Sequence, residues 1–362
     1  MPDADVTTDQ STGRSTLSTA ASGPSLLRSI AHRLAGETPE LPDEGRLAPF
    51  AGATGWLNSE PLTPEELRGR VVLVDFWTYT CVNWLRTLPY LRAWDAKYRD
   101  AGLTIVGVHT PEFGFERTID NVVEESRRLG VEYPIAVDSD YGVWKAFANH
   151  YWPALYLADA EGRIRYHHFG EGEYGMSEMA IQQLLTDAGA SGVGAELVAV
   201  EPQALEVAAD WRTLRSPETY LGYRQSSGFA QGDVARLDRP AAYAAPDRLS
   251  LNYWALDSTW TVAGHAAVLD ASGGRVAFEF HARDVNLVMG PVSRDASIPF
   301  RVLLDGQTVG AARGTDVDAD GNGVLDRQTT YQLVRQPGPI DDRRFEIEFL
   351  AGGVEVYCFT FG

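Results

Sequence analysis

The stretch VDFWTYTCVNW, Val74 to Trp84, sets a single thiol among an acid and four aromatic rings. A cysteine reacts as its thiolate, so the question is what stabilises the anion at Cys81. Cys81 follows a continuous apolar run, VVLVDFW, and precedes a stretch of helical periodicity. That places its sulfur at a helix N-terminus, where unpaired N–H groups and a partial positive charge favour thiolate. Asp75 lies six residues earlier inside the apolar run. In low dielectric its pKa is expected to rise, which makes it a usable proton acceptor. Trp77, Tyr79 and Trp84 form an aromatic surround, and Trp152-Pro153, just ahead of another apolar run, fits a cis-proline turn. Together these residues point to thiol redox chemistry, with Trp77, Trp84, Trp152 and Pro153 as the expected substrate-contact surface.

A dithiol site reads Cys-x-x-Cys. Here Cys81 is followed by Val82, Asn83 and Trp84. A mixed disulfide made at Cys81 then needs a releasing thiol from outside this stretch: a small thiol, a partner protein or a substrate thiol. Cys358 is the one other cysteine in the chain. It serves only if the second domain presents it at the site, and a structural disulfide between the two is not expected. The competing reading makes Cys81 a small apolar filler in a redox-inactive fold that binds a glycan or protein instead.

Other residues carry weaker signals. Glu112, with His109 in VHTPEF, follows the second apolar strand, on the edge where α/β sites form, and is an acid–base candidate. His167 and His168 sit in a strand and suggest no metal. In DVDADGNGVLD, Asp316, Asp318 and Asp320 precede Gly321 with the alternate spacing of half a calcium loop. Arg327 stands where the bidentate Glu belongs, and a plain acidic turn competes with the calcium reading. Trp254 and Trp260 suit either a sugar-stacking platform or a core. No organic cofactor is implied.

The elements that must position these residues follow from periodicity. Residues 1–24 are polar and read as a disordered tail, Ser25–Leu34 as a short amphipathic helix, and the region up to 54 as irregular. Residues 55–190 alternate strands and helices. LTPEEL, with Thr63 as N-cap, opens as a helix; NWLRTLPYLRAWDAKYRDAG is a long helix that Pro89 should kink. A hairpin around Ala160-Glu161-Gly162 and a last helix close an α/β mixed sheet. Residues 191–215 read as a linker. From 216 to 362 short alternating runs without helices predict an all-β sandwich of jelly-roll-like type.

Of the 362 residues, 44% are hydrophobic, enough for two cores, and the formal charge is −19. That charge argues against nucleic acid and anionic membrane as partners. No apolar run is long enough to span a bilayer, and the N-terminus lacks a secretory pattern, so the cytoplasm is the expected location.

VVLVDFWTYTC resembles the thioredoxin family, in which a strand reading Val-Asp-Phe-Trp leads to the first cysteine four residues after the Trp. The resemblance implies a thioredoxin-like fold, with Cys81 as nucleophile, Asp75 as buried proton relay and Pro153 as the cis-proline beside the substrate. The long interval from Cys81 to Pro153 is similar to the TlpA/ResA and alkyl-hydroperoxide-reductase-like redoxin branch. FWTYTCVN, GLTIVGVHTPEFGFE, YPIAVDSDYGVW, YWPALYLADAEGRIRYHHFGEGEY and YCFTFG resemble the soluble C-terminal region of the DipZ family. There a carbohydrate-binding-module-like β-sandwich follows the redox domain. Trp84 departs from that family's second cysteine. Thr78 resembles the Thr of the peroxiredoxin Thr-x-x-Cys, although the proline before it is missing. This gives a second chemistry, antioxidant peroxide reduction through a sulfenic acid. The expected partners are therefore a disulfide or peroxide substrate and an external thiol reductant.

Overall fold

The computed structural model describes residues 41–362, so the expected tail and the helix at 25–34 lie outside the described residues. The first domain is built on β1 (Gly45–Arg46), β2 (Gly55–Leu57), β3 (Val71–Trp77), β4 (Leu103–His109), β5 (Ile135–Val137), β6 (Ala154–Ala158) and β7 (Arg163–Phe169). Its helices are α1 (Val82–Tyr98), α2 (Ile119–Arg128), α3 (Gly142–Ala146) and α4 (Tyr174–Asp187). The seven strands lie in the order β1-β7-β6-β3-β4-β5-β2. β3 runs parallel to β4 and antiparallel to β6, which makes the sheet mixed. This is the thioredoxin-like α/β architecture.

β3 is central and buried at every residue, as a run with one acid requires. Its alternation sends Val71, Leu73 and Trp77 to one core and Val72, Val74 and Phe76 to the other. Asp75 shares the first of these faces. α1 covers that face with Leu85, Leu88, Leu91, Trp94 and Tyr98. Each such side chain contributes roughly 1.5–3 kcal/mol by leaving water, so α1 is fastened by packing despite Pro89 within it. The helix continues through that proline.

Two local expectations change. Pro64 to Gly69 forms hydrogen-bonded turns rather than a helix, although Thr63 and Glu66 make reciprocal cap bonds at 2.9 and 3.3 Å. Arg68 and Gly69 must turn at once to start β3, leaving no length for a helix. The sheet also begins earlier than residue 55: Gly45–Arg46 pairs with β7 through Ile164 and Arg163.

The second domain has β8 (Thr219–Tyr220), β9 (Ala241–Tyr243), β10 (Trp254–Val262), β11 (Ala267–Leu269), β12 (Gly274–Phe280) and β13 (Asp284–Pro291). It continues with β14 (Ile298–Leu304), β15 (Gln307–Thr308), β16 (Asn322–Leu325), β17 (Thr329–Arg335), β18 (Arg343–Phe349) and β19 (Val354–Phe361). All ladder pairings among them are antiparallel. β10 belongs to two sheets. Its first half pairs with β12 and its second half with β9 and β11. The chain turns at Ser258, whose φ is 90°. The inner faces meet in one core that includes Trp254, Trp260, Phe278, Phe300, Phe345 and Phe359.

The domains share packing. β13 and β19 contribute Val288, Tyr357 and Cys358 to the same apolar cluster as α1 and Trp77. Arg86, 3% exposed, pairs with Glu171 at 2.8 Å and donates to the Phe361 carbonyl at 3.1 Å. The segment 191–215 runs against both domains: Leu205 packs on the shared cluster, and Arg335 donates to the Ala204 carbonyl at 3.0 Å. Among the described residues no helix is long and apolar enough to cross a membrane.

Candidate functional site

Cys81 is the N-cap of α1, in extended conformation at φ −69°, ψ 108°. Its N–H donates to the Thr78 carbonyl at 3.2 Å and its own carbonyl accepts from Leu85 at 2.9 Å. The turn Thr78–Thr80 thus carries the chain from the end of β3 into the helix and leaves the thiol half-buried at the helix start. The N–H groups of Asn83 and Trp84 act on the sulfur and favour thiolate. They do not prevail. Burial, followed by the charge of Glu112 and then Glu218, holds the Cys81 thiol well above its ordinary pKa. The expected depressed thiol is therefore corrected: the opposing carboxylates come from other elements.

Asp75 is fully buried, and burial raises its pKa to about 7, as its place in β3 predicts. Its partner is Trp84, whose Nε1 donates to Asp75 Oδ2 at 2.8 Å. Trp84 also stacks on Trp77, with ring centroids 4.2 Å apart and planes at 23°. Both indoles are 0% exposed. They are core groups that fasten α1 to β3, not the substrate-contact surface expected of them. The indole takes the place of a second thiol and supplies a hydrogen bond to the buried acid.

Asp75 predicts a specific pH dependence. Unfolded, it ionises near 3.8; folded, it keeps its proton to about 7. The folded state binds the additional proton in this window, so Asp75's contribution to stability falls as pH rises from about 4 to about 7 and is flat beyond. Asp75→Asn removes that loss. Relative to wild type the variant gains stability at pH 8, by at most about 4 kcal/mol for a shift of this size, and the gain vanishes near pH 4. Denaturant midpoints of both proteins at pH 4, 6 and 8 measure it; a difference that does not change with pH contradicts the assignment.

The Trp152-Pro153 peptide is cis. Phe76 is opposite Ala154 in the β3–β6 ladder, so Pro153 stands beside the end of β3 from which the Cys81 turn departs. Pro153 is buried and Trp152 is half-buried, its indole N–H donating to the Thr110 carbonyl at 3.1 Å. Of the four expected contact residues, these two lie at the edge of the site.

Residues 110–117 wrap the other side. Glu116 is 0% exposed and accepts from the Thr80 hydroxyl at 2.5 Å and from the N–H groups of Glu112 and Phe113 at 2.6 and 2.8 Å. Thr78, also 0% exposed, makes no hydrogen bond through its hydroxyl, to Cys81 or to any other described group. The Thr-x-x-Cys arrangement for peroxide is accordingly not made. Glu112 is half-buried and its pKa is raised, first by burial and then by the charges of Glu218 and Glu116. The Tyr220 hydroxyl, from the second domain, donates to Glu112. His109 ends β4 at 0% exposure, stacked on Tyr79 at 5.5 Å; burial keeps it neutral, with its pKa lowered to about 3.

Tyr220, Glu218 and Glu116 are the site residues that local patterning does not reveal. Glu116 has a weak signal, an acid three residues after Phe113 at the start of a helical turn. Tyr220 and Glu218 have none, since a fold-level pairing brings them in.

The Asp316 and Asp318 carboxylates of the 316–326 stretch are held by backbone donors. Asp318 Oδ1 accepts the N–H groups of Asp320 and Asn322 at 2.9 and 2.8 Å, and Asp316 Oδ2 accepts that of Gln332 at 2.7 Å. These carboxylates shape a turn, with Gly321 at φ +84°, and among the described residues no group of three or more acids, His or Cys converges on a cation position. Trp254 and Trp260 are 0% exposed and belong to the core.

Two family models match the chain: the AhpC/TSA family over residues 47–167 and a thioredoxin-like C-terminal domain over 216–362. Protein DipZ of Mycobacterium tuberculosis is 38% identical over 257 residues, covering 69% of this chain and 36% of that protein. The chain thus spans about a third of that relative's length. The thiol-disulfide oxidoreductase YkuV of Bacillus subtilis is 31% identical over 139 residues, covering 38% of this chain and 93% of that protein. A solved thioredoxin-like protein in its oxidised form is 30% identical, with a TM-score of 0.37, covering 40% of this chain and 97% of that one.

Proposed function

The chain belongs to the thioredoxin-like AhpC/TSA redoxin family, and from that premise we propose that it is a thiol–disulfide oxidoreductase in which Cys81 is the attacking thiol. One observation carries the reading: a half-buried cysteine caps α1 at the end of β3, where the Asn83 and Trp84 N–H groups favour its thiolate and the half-buried Glu112 carboxyl acts on it from the loop after β4. Cys81 attacks a substrate disulfide, one sulfur of the substrate bonds to Cys81 and the other leaves as thiolate. The proton that Cys81 gives up has an acceptor in Glu112, a half-buried carboxyl whose pKa is raised by burial. Asp75 sits behind the helix on Trp84 and acts on the site through α1 rather than by touching the sulfur.

Trp84 closes the usual route by which such a mixed disulfide is released. The reading therefore draws its electrons from an external thiol, either a low-molecular-weight thiol or a thioredoxin-like protein. The peroxidase alternative lacks the Thr78 contact it needs, since that hydroxyl makes no hydrogen bond, and the glycan-binding alternative loses Trp254 and Trp260 to the core.

The test is catalytic. The protein is added to insulin and dithiothreitol, and reduction of the insulin interchain disulfides is followed. Acceleration over the thiol alone is expected. A rate equal to that of dithiothreitol alone, with the protein folded, overturns the reading.

A further inference from the structure

The second domain does more than cover the redox domain, because one rung of its sheet crosses the Cys81 turn. In β13, Val288 pairs with Thr330 of β17 on one side and with Cys358 of β19 on the other. Cys358 pairs in turn with Tyr220 of β8. Thr330, Val288, Cys358 and Tyr220 therefore stand in line across four neighbouring strands. Paired residues on adjacent strands point to the same face.

Both ends of this rung touch the redox site. The Thr330 hydroxyl donates to the Thr80 carbonyl at 2.7 Å, one residue before Cys81. The Tyr220 hydroxyl donates to Glu112, the carboxyl that faces Cys81. Cys358 lies between these ends, and it packs with Val288 and Cys81 in the cluster that unites the domains. Adjacent strands are about 4.8 Å apart, so Cys358 is one strand from the Tyr220–Glu112 contact and two from Thr330. Both cysteines are free thiols. Cys81 is half-buried, while Cys358 is 1% exposed with its sulfur 3.4 Å from the Phe359 carbonyl oxygen.

We propose that Cys358 is the resolving thiol of Cys81, so that the site is a dithiol pair divided between two domains, with the half-buried thiol attacking and the fully buried one releasing. This rests on the reading of Cys81 as nucleophile and names the thiol that Trp84 displaced. In the first step the Cys81 thiolate attacks a substrate disulfide R–S–S–R′, forming Cys81–S–S–R and releasing R′–S⁻. In the second, the Cys358 thiolate attacks the Cys81 sulfur, the bond to R breaks, R–S⁻ leaves, and a Cys81–Cys358 disulfide remains. Two protein thiols are oxidised and one substrate disulfide is reduced to two thiols, which take up the two protons. An external thiol or dithiol then reduces the interdomain disulfide. Closing it needs the two Cα atoms within about 4.4–6.8 Å.

Glu112 and Glu218 face both sulfurs, as does Tyr220 for Cys358. The charge of the two carboxylates opposes ionisation of both thiols.

The reduced protein is mixed with one equivalent of oxidised glutathione, quenched in acid, alkylated and digested without reductant, and the peptides are identified by mass. Wild type is expected to give the Cys81–Cys358 linked peptide and two equivalents of glutathione. Cys358→Ser, and Cys358→Ala as an apolar replacement for this packed position, are expected to stop at Cys81–glutathione with one equivalent released. Wild type that retains Cys81–glutathione beside an unlinked Cys358 overturns the resolving role and leaves the attacking role of Cys81 intact. Cys81 unmodified in wild type overturns both.

Discussion

Cys81→Ser brings insulin reduction down to the rate of dithiothreitol alone, a loss of at least about a thousandfold in any activity above background. The hydroxyl neither ionises in this range nor forms a disulfide, so no mixed intermediate exists. The substitution is mild for the fold, because serine is a preferred N-cap residue and Cys81 holds that position in α1. The melting temperature should stay close to wild type, which separates lost chemistry from lost structure. Retained activity in Cys81→Ser would remove the thiol from the mechanism.

Trp84→Ala gives the largest expected change in stability. The indole is 0% exposed, stacks on Trp77 and donates to Asp75. Removing it costs roughly 3–5 kcal/mol in lost burial and cavity. A further 1–3 kcal/mol follows where the Asp75 carboxylate is left without its donor. Trp84→Phe separates these contributions, since it keeps most of the packing and loses only the hydrogen bond. Denaturant unfolding at pH 8, where Asp75 is ionised, should rank the proteins wild type, Phe, Ala. A loss below about 1 kcal/mol in Trp84→Ala would show that the indole is not what joins α1 to β3.

The two tryptophan roles explain why part of this site was legible in the sequence. The position of Cys81 at a helix start and the raised pKa of Asp75 follow from local features: an apolar run, a change of period and a spacing of six residues. The strand–helix alternation and the all-β texture after residue 216 are likewise carried by short-range patterns. What stayed hidden depends on chain segments far apart. Trp84 reads as a surface aromatic until α1 is seen lying on β3. The thiol was expected to be acidic because the helix amides are local, whereas Glu112 arrives from the loop after β4 and Glu218 from the second domain. The rung that brings Cys358 near the site requires the register of β8, β13, β17 and β19, which no single segment encodes. The acidic turn at 316–322 shows the converse: its alternating acids match a cation loop, but backbone N–H groups from that turn and from Gln332 occupy the oxygens.

The sharing of one apolar cluster between the domains also bears on regulation of the thiol. Thr80, Glu112 and Glu125 each contact the second domain, through Thr330, Tyr220 and Thr329. The sulfur is therefore controlled from two sides, by helix amides that favour the anion and by carboxyls that oppose it.

The most direct measurement of this balance is the rate of iodoacetamide alkylation at Cys81 as a function of pH, with the modified peptide identified by mass. The account predicts that Cys81 reacts with a midpoint above the free-cysteine value of about 8.5, and that Glu112→Gln moves the midpoint down by removing the nearest opposing charge. A midpoint below 8.5 in wild type, a midpoint unmoved in Glu112→Gln, or no alkylation of Cys81 at any pH where the protein stays folded would contradict it.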